Sequence, residues 1–447
     1  MNRFAALGMA LALACAWPAI ATAQYQQQLP QPKPKEVPDR DEDKEDEEKR
    51  DENAPKPEYS KDFLKIAGKV QKAADEKNWA EVMAALPELE AVPSPTPDDR
   101  KAIATWRLQA TQGVGDQDAF AAAIEKYLAD GYATPDQEGA MHRQLAAHYS
   151  AKQDRERTLE HFRKFVDATP DVEPDELETL GRLYIQSNNH AEGAQWLGKA
   201  IELAASRNEM PKALWFQLRD KAFIDLKDDA SRLANLESLV TYYPDKEYYS
   251  RIVAIYQNQS KDDRVVMLNA YRLAVTDPQG GLENVGGYMS YAATALDAGS
   301  PGEAARALER GMKEGIVPGA GSNQQTLNEA KAAVAQDKKS LPAEATAAEK
   351  NPKGEVAVKV GLGFYSIGDF EKAAALARSG IAKGGVERLD DANLLMGAAL
   401  MELGRRDEAK AAFEAAAAAA TSGSHMARIA NLWLARAARA EPAATGG

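Results

Sequence analysis

The chain has 447 residues, of which 44% are apolar and 7% aromatic, and carries a formal net charge of −13. That length and apolar share support a sizeable core in one extended or two compact domains. The acidic balance lacks the clustered basic footprint that phosphate backbones require, so nucleic-acid binding is disfavoured. Alanine, leucine, glutamate and lysine dominate, which favours helix over sheet.

In chain order, the first element is MNRFAALGMALALACAWPAIATAQ: one Arg, an apolar run from Phe4 to Trp17, and Ala21-Thr22-Ala23. Such a run followed by small-x-small is the form of a cleaved secretory leader, predicted over 1–23. It is too short to span a bilayer comfortably. The mature chain, without another long apolar stretch, is expected to be soluble, exported and periplasmic. The single cysteine, Cys15, lies inside the leader, so the mature chain has no thiol. A lipid anchor at Cys15 is the alternative, against which Ala12-Leu13-Ala14 lacks the usual branched residue three positions upstream. Residues 24–59 then hold twelve acids, seven bases and several prolines with almost no core-forming residue. This composition buries too little apolar surface to offset its ordering entropy and predicts a disordered acidic arm.

From Ser60 onward apolar residues recur at helical spacing in segments of about a dozen residues, with no alternating β-branched run. Breaks between segments fall near Lys77, Gly115, Gln153, Asn188, Lys227, Ser260, Gly299, Gln336, Gly368 and Gly404, 32 to 39 residues apart. Each break is read as the turn between a helix A and a helix B, giving about ten helical hairpins. Seven residues before the turn stands a small residue (Ala146, Gly181, Ala292, Gly361, Gly397). Four before it stands a large one (Tyr149, Tyr184, Phe364, Leu400). Five after it come Gly193, Ala304, Ala373 or Ala409, and nine after it Phe162, Leu197, Leu308 or Phe413. Small residues let helix B close on helix A, and bulky ones fill the groove between units. Pro170, Pro244 and Pro278 end helix B where they occur.

This spacing is similar to the tetratricopeptide repeat (TPR). The resemblance implies an all-α, TPR-type α-solenoid over 60–440, a right-handed superhelix with helix A on its concave face. Residues 425–440 resemble a final solvating helix, and 441–447 read as a flexible tail.

Little in the chain carries chemistry. His142, His148, His161, His190 and His425 have no metal-site spacing, and no phosphate loop or nucleophile elbow is present. No cofactor and no catalytic or metal-ligating residue is expected. Helix-A register instead places Arg143, Glu178, Arg182, Gln217, Lys221, Gln257, Tyr365 and Met401 on the concave face as candidate peptide contacts. The mixture is polar and of both signs, without the Lys and Asn set of TPR clamps that grip a chaperone's terminal carboxylate. The run TYYPDKEYY, 241–249, is read as inter-repeat packing, with a Tyr-rich peptide ledge as the alternative.

Three segments, 212–256, 307–317 and 381–416, resemble a narrower group, the exported TPR proteins found with bacterial TonB systems. The resemblance rests on Trp215 at a helix start, on Tyr243, Pro244, Lys246 and Tyr248, and on the Lys383-Gly384-Gly385 turn. It implies a non-catalytic accessory to energy transfer from ExbB, ExbD and TonB to outer-membrane receptors for iron chelates. A general scaffold for outer-membrane or peptidoglycan assembly is the second expectation. No span long enough for a catalytic domain remains beside the array.

Overall fold

The computed structural model describes residues 57–260 and 263–439. The predicted leader, the tail and most of the predicted arm lie outside them. Helix is the only regular structure among the described residues. The first hairpins are α1 (Lys61–Asp75) with α2 (Trp79–Glu90), α3 (Pro97–Val114) with α4 (Gln117–Ala129), and α5 (Pro135–Ala151) with α6 (Arg155–Asp167). There follow α7 (Pro174–Gln186) with α8 (His190–Ser206), α9 (Ala213–Leu226) with α10 (Asp229–Tyr242), and α11 (Lys246–Ser260) with α12 (Arg264–Thr276). After α13 (Val285–Asp297) and α14 (Pro301–Lys313) comes a single long helix, α15 (Gly321–Lys350). The chain closes with α16 (Gly354–Ser366) and α17 (Phe370–Lys383), α18 (Leu389–Glu402) and α19 (Arg406–Ala419), and α20 (His425–Ala438).

The turns have one local construction. At Lys77, Gly115, Gln153, Asn188, Lys227, Gly299, Gly368 and Gly404 the backbone is left-handed, with φ between 56° and 83°. At all of these turns but Gly115 the next residue folds its N–H back to the carbonyl five positions earlier, as Asp369 does to Phe364 (2.9 Å) and Asn189 to Tyr184 (2.9 Å). These bonds satisfy carbonyls orphaned at the end of helix A. The same residue then caps helix B: Asp154, Asn189 and Asp369 accept from the N–H of Arg157, Glu192 and Lys372. At six of the eight turns a left-handed residue followed by Asp or Asn thus ends one helix and starts the next, whereas Ser300 and Arg405, after Gly299 and Gly404, make no side-chain cap bond.

The predicted small positions are where helices A and B meet. A Cβ on Gly397 would fall 2.3 Å from the Phe413 ring, and one on Gly193 would fall 2.8 Å from the Gly181 carbonyl oxygen. Neither position has room for a side chain.

One predicted turn is corrected. Gln336 lies inside α15, which runs unbroken for 30 residues, roughly 45 Å at 1.5 Å per residue. Gln336-Asp337 is the same pair as Gln153-Asp154 of a real turn, but AKAAVAQDKKS around it is rich in strong helix formers and stays helical. Lys383 caps the far end of α15, its ammonium donating to the carbonyls of Ala348, Glu349 and Asn351 at 2.8 to 3.0 Å.

After α15 the array folds back. Helices α16, α18 and α20 contact α14, α12 and α10 respectively, besides their sequential neighbours. The A helices of the last repeats thus lie on the B helices of the middle ones. Every residue of α12 from Val266 to Val275 is buried, the pattern of a helix enclosed on all sides. Across this seam Asn269 donates to Asp391 (2.7 Å), Arg428 pairs with Glu237 (2.8 Å), and Arg436 donates to the Thr276 carbonyl (2.7 Å). The final helix therefore does more than cover the last hairpin: it closes the C-terminal half.

Candidate partner-binding surface

The fold-back divides the candidate residues. Arg143 on α5, Glu178 and Arg182 on α7, and Gln217 and Lys221 on α9 occupy consecutive A helices, joined by polar contacts between neighbours. Arg143 pairs with Glu176 of α7 (3.2 Å) and lies over the Phe165 ring. Lys212, just before α9, pairs with Asp175 (2.6 Å), and Gln217 donates to the Tyr248 hydroxyl of α11 (2.9 Å). These residues form one surface strip.

Within the strip Glu178 is mostly covered and sits 3.4 Å from Arg182. Burial raises the Glu178 carboxyl above its ordinary range, and Arg182 opposes that rise. Lys221 is exposed and makes no ion pair among the described residues. Gln257 lies at the edge, its amide donating to the Tyr271 hydroxyl of α12.

Tyr365 is a correction. It is only 1% exposed, packed edge-on against Phe370 with the Arg272 guanidinium 4.9 Å above its ring. The register places it on the A face, but α12 and α14 of the same chain fill that face. Met401, on α18, is likewise half-buried against the core cluster that includes α12.

The strip has a feature that the sequence reading missed. Of the large apolar side chains that remain exposed, Met210 (58%), Leu214 (54%), Ile224 (49%) and Leu226 concentrate in and just before α9. Leu214 and Ile224 stand thirteen and three residues before the Lys227 turn. Ile224 and Tyr365, each three residues before its turn, occupy the same register, yet Ile224 is exposed and Tyr365 buried. Apolar residues at those outward positions were the available signal.

The other sequence features resolve into packing. Tyr249 is buried and donates to Asp277 (2.8 Å), and Tyr243 donates to the Pro211 carbonyl (2.9 Å). Tyr248, half-buried, is the one tyrosine of that run bonded to a strip residue, Gln217. His142 and His161 face each other with Nδ1 atoms 3.1 Å apart. Burial and the neighbouring His161 lower the His142 imidazole to about 4. Among the described residues no group of three or more His, Cys, Asp or Glu is arranged to hold a metal. No helix among them is long and apolar enough to cross a membrane.

The hairpins, their shared turn and the small-residue contacts define an all-helical α-solenoid of stacked A and B helices. Two of its units match the tetratricopeptide repeat profile: residues 177–207, spanning α7 and α8, and 390–421, spanning α18 and α19. No curated protein matches the chain significantly by sequence. Among solved structures, the chain is similar to the TPR2AB domain of yeast Sti1 in complex with pHSP90 (11% identity, 68% of this chain and 98% of that one, TM-score 0.22). It is also similar to a tetratricopeptide repeat protein from Parabacteroides merdae (11%, 67% and 99%, TM-score 0.25). A third is the P58(IPK) TPR domain (14%, 85% and 100%, TM-score 0.22).

Proposed function

We propose that the protein is a non-catalytic periplasmic scaffold that holds a protein partner on the A face of α5, α7 and α9. The observation that carries this reading is the contrast between the two halves. The A face of the last repeats is filled by the chain's own helices, whereas that of α5 to α9 remains open with mixed charges and exposed apolar side chains. Open patches of that kind mark interaction sites.

The leader and the three resembling segments support a more specific assignment, as an accessory to TonB-dependent uptake of iron chelates. The expected partners are TonB, ExbB, ExbD or an outer-membrane receptor. The test places a photo-crosslinking amino acid at position 182 in the full chain, in cells grown without free iron. Crosslinks to one of those components, lost in a chain carrying Arg143→Glu, support the reading; crosslinks to other proteins alone overturn it. Gene deletion adds a second readout: poor growth on chelated iron agrees with the TonB assignment, whereas an altered cell shape or leaky envelope points to general envelope assembly.

A further inference from the structure

We infer that the partner is anchored on α9 by a segment that alternates apolar side chains with carboxylates, the carboxylate seated on Lys221. This deepens the proposed docking on the A face and rests on it.

Along α9, Leu214, Gln217, Leu218, Lys221 and Ile224 follow each other at intervals of one, three or four residues and so lie on one stripe. Leu214 and Ile224, half-exposed, lie on either side of Lys221 along the helix, and Leu218 between them is half-buried. Their separation of ten residues corresponds to roughly 15 Å of helix. The stripe is therefore apolar, cationic and apolar in sequence.

Charge decides what fits. Three of the carboxylates around the stripe are engaged, Asp175 with Lys212, Glu178 with Arg182, and Asp220 with Arg232 and Arg251, while Asp225 lies 3.6 Å from His190, an ion pair only when that imidazole is protonated. Lys221 alone on the stripe is charged, exposed and without a counter-ion among the described residues. The Lys221 position is thus complementary to an acid even though the whole chain is acidic. At physiological salt the Debye length is about 8 Å, so the local cation outweighs distant net charge.

The test uses fluorescence anisotropy with the full mature chain and two labelled peptides. Both alternate leucines with polar residues and differ only in carrying Glu or Lys at the polar positions. Net charge alone would favour the Lys peptide. The inference expects the Glu peptide to bind about ten-fold more tightly than the Lys peptide. Lys221→Glu should reverse that order. Leu214→Asp with Ile224→Asp should abolish binding of both peptides while the thermal melt stays unchanged, since both side chains are exposed. Equal or tighter binding of the Lys peptide to the unmodified chain, or an order unaffected by Lys221→Glu, overturns the inference. The crosslink at position 182 is independent of these peptides, so the docking reading can stand or fall separately.

Discussion

Arg272 and Glu303 form a two-pronged ion pair with both side chains enclosed in protein. The Nε and Nη2 atoms of Arg272 donate to the two carboxylate oxygens at 2.7 and 2.8 Å. A third Arg272 nitrogen donates to Asn269, while Tyr291 and Ser300 donate to Glu303 at 3.0 and 2.7 Å. The pair joins α12 to α14 directly beneath Tyr365. It sits where the two layers of the C-terminal half meet, and every polar group in it has a partner.

Removing one member should therefore be far worse than removing both. Arg272→Met leaves a buried carboxylate without its cation, an expected loss of about 3–5 kcal/mol. Arg272→Met combined with Glu303→Leu should recover much of that loss. Urea midpoints of the two variants, followed by circular dichroism, check the order.

Tyr365→Ala should behave as a core truncation and not as the loss of a surface contact. Deleting a buried aromatic ring typically costs about 3–5 kcal/mol. Tyr365→Phe keeps the ring beneath the Arg272 guanidinium and should cost much less. Thermal melts of both variants distinguish core packing from an exposed binding role, in which neither change would move the midpoint.

Gly302 marks the closest approach of α14 to α16. A Cβ there would lie 1.8 Å from the Ser366 carbonyl oxygen, and the Gly302 N–H donates to the Ser366 hydroxyl at 2.8 Å. Gly302→Ala must push backbone apart and break that bond, at an expected cost of about 1–3 kcal/mol. Faster amide exchange confined to α14 and α16, beside an unchanged N-terminal half, is the expected pattern.

The clasp between α12 and α20 should be acid-sensitive. Burial alone would raise the Asp277 carboxyl, but Arg436 and Arg439 more than offset this and hold it below its ordinary range. The folded chain thus binds this proton less readily than the unfolded one, so the stabilisation is complete above pH ~4. It is lost as pH falls through the depressed folded value. Asp277→Asn should lower the urea midpoint at pH 7 and flatten its fall below pH 4. A fall as steep as in the unmodified chain would refute this.

Much of the fold was legible because its rules are local. A left-handed residue followed by Asp or Asn is written in a few positions, and Gly181 with Gly193 or Gly397 with Phe413 recur at set distances from it. The turn expected near Gln336 failed for the same reason: regular spacing suggested a break where the residues themselves favour helix. The candidate strip was legible in part. Register alone placed Arg143, Glu178, Arg182, Gln217 and Lys221 on adjacent A helices, while Leu214 and Ile224, being aliphatic, are not told apart by type from the core residues of the repeat.

By itself, then, the sequence determined where helices begin, end and pair, since capping, glycine contacts and helical period act within about forty residues. Only the tertiary structure decided which A faces stay open. That choice depends on α15 turning the array back so that α16, α18 and α20 close over α14, α12 and α10. Asn269 meets Asp391, and Arg428 meets Glu237, across separations far longer than any repeat. Helix register cannot distinguish a face left for a partner from one the chain fills itself. At Ile224 and Tyr365 the same repeat position presents one residue to solvent and the other to the chain's own α12.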